Sequence, residues 1–484
     1  PFAVVQEPDM GIVLSDGCRL SARVWMPKDA AKSPVPAILE YIPYRKRDGT
    51  LPRDEMMHPY VAGHGYACIR VDMRGNGDSE GLMADEYTAQ ELSDAVEVIA
   101  WLARQPWCSG QVGMMGKSWG GFNCLQTAYL QPPALKAVIS VCSTTDRFAD
   151  DIHYRGGCLL GENFGWGAVM LSYSSRPPDP ALRADWREMW LERLEAEPWL
   201  APRWAALQER GAYWQHGSIC EDYARMQVPV LIWGGWADSY MNTVAAIAEN
   251  LPGAKGIVGP WVHQYPHTAV PGPAIGFLQE AVRWWDRWLK GKANGAESDP
   301  AYRAYMLHSE APNASPKHRA GHWVAEATWP SPRVTRKVLG LSSAAQRPGG
   351  FTPPGPPVEY LSQDEGGAIS CQIATPQHLG MNAGEFFPMG LNAEMPGDQR
   401  GDDAVSVCFD GDVLTAPLEL LGAARLTISR AEICRIVLVS TKPLSFSVCP
   451  LETRSTIRLA RPRPGASSIA PLSLTTSAWM PWLS

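Results

Sequence analysis

No apolar stretch of about 18 residues or more occurs in this 484-residue sequence, so none could span a bilayer as a helix. Long runs of Lys or Arg are also missing, and the net charge is −7 with a pI of about 5.9. Both facts argue against nucleic acid or a membrane as a partner. There is no Cys-x-x-Cys pair, P-loop, zinc or EF-hand pattern, so neither a metal nor another cofactor is expected. The 11 cysteines are odd in number, and Cys68, Cys124 and Cys142 lie in apolar segments, where a thiol acts as a small hydrophobe. That usage points to a cytoplasmic compartment. The chain opens Pro1-Phe2-Ala3 with no initiator Met and no basic region before an apolar run, giving the expectation that a leader or a few residues were removed.

What is present is ordinary for a folded protein, with 45% hydrophobic and 19% charged residues. The length calls for two or more domains. The 20 Trp and 42 Pro are conspicuous; most of the tryptophans are expected to fill large cores.

Short apolar strands alternate with helices over the first 145 or so residues, which predicts an α/β sheet. Strands are expected at 35–42, 66–72, 112–116 and 135–141, and helices at 91–104 and 122–129. From 146 to 225 the strand pattern stops and the segment turns helical, with Trp166, Trp186, Trp190, Trp199, Trp204 and Trp214. Strands return at 228–233 and 254–259. A helix from 277 to 290, with Val282, Trp285 and Leu289 toward the core, completes a catalytic domain of 1–145 and 226–310 around an inserted cap. A proline-rich connector at 353–357 and strand-like runs at 405–409 and 424–428 suggest a separate all-β domain over 311–430, followed by an atypical tail, 431–484.

Gly116-Lys117-Ser118-Trp119-Gly120-Gly121 fits G-x-S-x-G between an expected strand and an expected helix. A nucleophile there needs a sharp turn with small neighbours, and the helix that follows points its amides at developing negative charge. The alternative is a glycine-rich turn with a capping serine. A serine hydroxyl needs a base, and the base an orienting acid, in the chain order Ser, Asp or Glu, His. Asp238 follows the strand ending at Trp233, and His263 follows the strand ending at Val258. Their bland readings are a helix cap and a loop histidine. His58, His64 and His153 are competitors out of position. His267 lies four residues past His263, but Pro266 interrupts any helical pairing for a metal. The amide of Trp119 is one expected oxyanion donor. The loop 43–47 offers the Tyr44 hydroxyl as a second, although a Tyr there could simply pack. Asp72–Gly81 is rich in glycine, but Glu80 stands where a dinucleotide fingerprint needs Gly, so a structural turn is expected.

With these motifs in place, the chain from about Ser15 to Ser429 resembles the X-Pro dipeptidyl-peptidase and cocaine-esterase family, which includes α-amino-acid ester hydrolases and glutaryl acylases. The resemblance rests on Tyr41-Ile42-Pro43-Tyr44-Arg45-Lys46, the Ser118 motif, Gly235-Trp236-Ala237-Asp238 and Gly259-Pro260-Trp261-Val262-His263. Asp286-Arg287-Trp288-Leu289-Lys290-Gly291 and Pro396-Gly397-Asp398-Gln399-Arg400 agree with it. It implies an α/β-hydrolase fold, a helical cap and a C-terminal jelly-roll. It also implies a triad of Ser118, Asp238 and His263, with Tyr44 and Trp119 forming an oxyanion hole. Asp238 is followed by Ser239-Tyr240-Met241 and not by the carboxylates that bind an α-ammonium in the amino-acid ester hydrolases. A neutral or aromatic acyl group is therefore expected, with Tyr240 and Trp166 as pocket walls. After about Arg430 the likeness ends with too few residues for a complete eight-stranded jelly-roll, which suggests a truncated or out-of-frame end.

The expected activity is hydrolysis of small acyl esters or amides through an acyl-enzyme. The alternatives are an X-Pro dipeptidyl-peptidase acting on short peptides and a catalytically silent or truncated binding protein. A homo-oligomer is left open.

Overall fold

The computed structural model describes residues 1–336 without a break, then 376, 378–390, 392, 394–404 and 414–422, and the backbone of seven short strand segments from 340 onward. The connector at 353–357 and most of the expected strands at 405–409 and 424–428 lie outside the described residues. So does nearly all of the tail, and with it the jelly-roll expectation.

A ten-stranded sheet organises the described chain. Its strands are β1 (Val4–Val13), β2 (Arg19–Pro27), β3 (Val35–Ile42), β4 (Ala67–Asp72), β5 (Cys108–Lys117), β6 (Leu135–Val141), β9 (Val230–Gly235), β10 (Lys255–Gly259), β11 (Tyr302–Leu307) and β12 (Gly321–Glu326). The two strands between β6 and β9, β7 (Tyr154–Arg155) and β8 (Cys158–Leu159), form a separate hairpin. The sheet order is β1-β2-β4-β3-β5-β6-β9-β10-β11-β12, parallel from β4 to β11 and antiparallel at both margins. Every residue of β3 and β4 is buried, as expected of strands covered on both faces; β3 is mostly apolar, whereas β4 buries Arg70 and Asp72 as well. The domain limit drawn at 310 falls between β11 and β12, which pair in this one sheet.

Helices α1 (Leu51–Gly63), α2 (Ala89–Ala103), α3 (Trp119–Tyr129), α8 (Asn242–Asn250) and α9 (Phe277–Lys290) accompany the sheet. In α9, Trp285 and Leu289 are buried as expected, but Ala281 and Trp284 are buried too while Val282 is only partly covered. The core stripe is thus broader than the sequence reading, and Gly291 ends the helix in the left-handed conformation with φ 67°. Between β6 and β9 stand α4 (Glu162–Ser174), α5 (Trp186–Glu195), α6 (Leu200–Ala206) and α7 (Ala212–Gln215). Here Trp204 and Trp214 are fully buried, whereas Trp199 is 83% exposed. Cys68, Cys124 and Cys142 are buried and unpaired, matching their reading as small hydrophobes. Among the described residues no helix is long and apolar enough to cross a membrane.

Candidate active site

The G-x-S-x-G motif makes the turn from β5 into α3. Ser118 sits at φ 58°, ψ −125°, a conformation that non-glycine residues rarely adopt. Its amide donates to the Val141 carbonyl (2.9 Å), and its carbonyl accepts from the Phe122 amide (2.9 Å). The glycines are there because backbones meet: a Cβ on Gly116 would lie 2.5 Å from the Gly120 carbonyl carbon, and one on Gly121 2.7 Å from the Val141 oxygen. Gly116→Ala is expected to wedge strand from helix at a cost of about 1–3 kcal/mol, read as a lower Tm.

Asp238 and His263, the expected acid and base, follow adjacent parallel strands, β9 and β10. Beyond the β9–β10 ladder the loops stay stitched, with the Trp236 amide on the Gly259 carbonyl (2.8 Å) and the Ala237 amide on the Trp261 carbonyl (3.1 Å). Gly235 permits this, since a Cβ there would lie 1.9 Å from the Trp261 oxygen. The result is a fully buried pair, His263 Nδ1 with Asp238 Oδ1 at 2.9 Å. A carboxylate can only accept, so Nδ1 carries the proton and Nε2 is left as the basic nitrogen. Burial pushes the Asp238 carboxyl up, but the neighbouring His263, its hydrogen bond and the Cys142 thiol outweigh that and hold it below the usual range. Burial lowers the His263 pKa, helped by Lys117 and opposed by Asp238.

One contact ties the His263 loop to the turn that carries Ser118, and another ties it to the 387–388 segment. Lys117 Nζ donates to the His263 carbonyl (3.0 Å), and the His263 amide donates to Pro388 O (3.1 Å). The Phe387 ring covers the imidazole at 4.2 Å between centroids. No hydrogen bond joins the Ser118 hydroxyl to His263 among the described residues; the hydroxyl instead lies within hydrogen-bond reach of Tyr44. Such bonds are often long before substrate binds.

Tyr44 sits in the loop after β3, where Arg45 turns the chain at φ 56°. Lys46 pins that loop: its amide donates to Asp72 Oδ1 (2.7 Å), and its buried ammonium reaches Ser21 Oγ (2.6 Å) and the Asp78 carboxylate. The Tyr44 ring packs against Trp119 and Trp166, each at 6.3 Å, and Tyr173 at 5.3 Å. Burial, and then Tyr173, keep its hydroxyl protonated far above the ordinary phenol range, so it remains a donor. The Trp119 indole donates to Glu91 Oε1 (2.6 Å). The sequence places Glu91 only at the start of a helix, and no local pattern marks it as a partner of Trp119. Thr88 accepts from the Glu91 amide (3.1 Å), but the Glu91 carboxyl turns to Trp119, where burial pushes its pKa up to about 8.

Trp166 is half-buried beside Trp119 at 6.2 Å, and its indole donates to Glu86 Oε2 (3.3 Å). Tyr240 is only 3% exposed; it packs on Phe122, His263 and Phe387 and donates to Asp151 Oδ1 (3.2 Å). Glu86 and Asp151 are thus carboxylates next to the expected pocket walls, though far from Asp238 in sequence. Glu86 is matched by Arg147 (2.8 Å) and His153 (2.8 Å). Burial raises Asp151, opposed by His153. The competing histidines are engaged elsewhere: His153 in this cluster, His58 on Glu40 (3.2 Å) and against Trp25 (4.8 Å), and His64 on the Tyr60 carbonyl (2.8 Å). His267 stacks on Phe277 at 5.6 Å.

Residues 16–265 match the sequence pattern of the X-Pro dipeptidyl-peptidase (S15) family, more than half of the chain. The chain belongs to that family. It is a serine hydrolase, as the esterases and peptidases of this family are. The cocaine esterase of Rhodococcus sp. (strain MB1 Bresler) is 26% identical over 481 residues, covering 87% of this chain and 77% of that protein. Among solved structures, an aminopeptidase of the marine-sediment Thaumarchaeota archaeon superposes with a TM-score of 0.60 at 19% identity, over 88% of this chain and 75% of its own. A selenomethionine-labelled α-amino acid ester hydrolase superposes at 0.57 with 20% identity, over 87% and 74%. Both likenesses establish the family's mostly parallel α/β-hydrolase sheet with its helices.

Proposed function

We propose that this S15-family hydrolase cleaves neutral acyl esters or amides through an acyl-enzyme on Ser118. His263 Nε2 takes the Ser118 proton as Oγ attacks the acyl carbon. The carbonyl electron pair moves onto oxygen, where the Tyr44 hydroxyl and the Trp119 amide receive it. His263 then gives the proton to the departing alcohol or amine, and a water repeats the sequence to free the acid. Asp238 holds the imidazole in the tautomer that leaves Nε2 basic. The buried Asp238–His263 pair, tied through Lys117 to the Ser118 turn, is the observation that carries this reading.

A neutral acyl group is favoured because Glu86 and Asp151, the carboxylates beside Trp166 and Tyr240, already have partners. Glu86 faces Arg147 and His153, and Asp151 accepts from Tyr240. Trp166, beside Tyr44 and Trp119, is the proposed acyl-pocket wall, and Tyr240 backs His263. On the same reading residues 146–225 roof the site as a cap. The core-buried cysteines favour the cytoplasm.

Family membership and the aminopeptidase-like fold favour a second reading, dipeptide release from X-Pro substrates. A p-nitrophenyl ester of a neutral aryl-acetic acid is expected to turn over at least tenfold faster, by kcat/KM, than an Ala-Pro anilide. The reverse ranking establishes the peptidase. Stoichiometric labelling by a fluorophosphonate is expected, and a protein that fails to label is the silent binding protein instead.

A further inference from the structure

Lys117 is one of the two variable residues of the G-x-S-x-G turn, and its half-buried side chain is tied to the loop of the proposed base. Its ammonium donates to the main-chain oxygen of His263, 146 positions away in the chain, at 3.0 Å. The elbow and the base loop belong to strands that are not neighbours, since β5 and β10 are separated by β6 and β9. No backbone ladder therefore holds the one against the other, and this side chain bridges that gap.

We propose that Lys117 is a positioning residue of this site, whose ammonium ties the base loop to the nucleophile turn and, as a cation beside it, opposes protonation of the His263 imidazole. The inference rests on the triad reading above. A fixed positive charge near an imidazole disfavours imidazolium, so a larger share of His263 stays a base as the pH falls. The direction found for His263 agrees: burial lowers it first, Lys117 lowers it further, and Asp238 opposes both. Lys117 is itself lowered by burial, while Cys142, Asp238 and Glu40 favour its charge and Arg53 opposes it.

The other groups around His263 are accounted for. Asp238 comes from the loop after β9, and Tyr240 from the same loop at 5.9 Å between rings. Cys142, at the end of β6, has its thiol within reach of Asp238 and 3.9 Å from the Gln264 carbonyl. Phe387 and Pro388 contribute no charge from their side. Among these groups Lys117 is the one cation.

The test is the pH profile of kcat/KM on a neutral nitrophenyl ester, followed at the isosbestic wavelength of nitrophenol. The acid limb reports the base of the free enzyme. Removing the charge raises the His263 pKa, so in Lys117→Met the limb moves to higher pH. The expected shift is roughly one unit, with kcat/KM about tenfold lower on the acid side and changed less on the alkaline plateau. Lys117→Gln keeps a donor for the His263 carbonyl without the charge, and it should shift the limb in the same direction. Lys117→Arg restores the limb. A Lys117→Met enzyme slowed equally at every pH, with an unmoved limb, overturns the proposal and leaves a structural tether only. If Lys117→Met melts early, the Lys117→Gln profile decides by the same criterion. Retained activity in Ser118→Ala would instead sink the triad reading, so the two failures are distinguishable.

Discussion

Ser118→Ala is expected to lower kcat by roughly a million-fold, the loss typical when a triad nucleophile is removed. The effect is this large because the alcohol forms the covalent intermediate and the imidazole has nothing else to activate. The substitution is small and local. The strained φ of 58° stays the same for alanine, and the Val141 and Phe122 hydrogen bonds belong to the backbone. Fold and Tm should therefore be almost unchanged, which isolates the chemistry. Stopped assays on a nitrophenyl ester, with fluorophosphonate labelling beside them, measure both losses. A variant that still labels and turns over places the nucleophile elsewhere.

Tyr44→Phe is expected to cost about 100- to 1,000-fold in kcat with a much smaller change in KM, the signature of a donor that acts mainly on the transition state. Only the hydroxyl is removed. The ring contacts with Trp119, Trp166 and Tyr173 remain, and Lys46 still anchors the loop. Because burial keeps this phenol protonated, its contribution should not titrate in the working range, and the shape of the pH profile should survive the substitution. A Tyr44→Phe enzyme of full activity would leave the Trp119 amide to hold the oxyanion alone, and Tyr44 would then be a packing residue.

Local signals carried much of the architecture. The expected strands at 35–42 and 135–141 and the helix at 277–290 have the limits seen in the structure, because unbroken apolar runs and a helical stripe each fit one kind of buried element. The helix expected to begin at 122 begins at Trp119. The loss of three residues there is understandable, since Gly120 and Gly121 are poor helix formers chosen for close approach to Ile42 and Val141. The sheet's continuation through β12 was hidden because Gly321–Glu326, at the margin of the sheet among the described residues, is mostly exposed or half-buried, without the apolar run of an interior strand. Glu91 was hidden for a different reason: its side chain serves a partner that only the packing of α2 on α3 brings near.

The sequence alone determined the turn that presents Ser118, the two post-strand loops that carry Asp238 and His263, and the order in which they come. Turn geometry and strand periodicity are short-range properties, written in consecutive residues. Only the tertiary structure decided that Lys117 reaches the His263 carbonyl, that Phe387 covers the imidazole, and that Glu86 is neutralised by Arg147 and His153. Those contacts join residues 61 to 146 positions apart. Whether a buried charge finds its partner depends on how the strands are ordered in space, which no local pattern records.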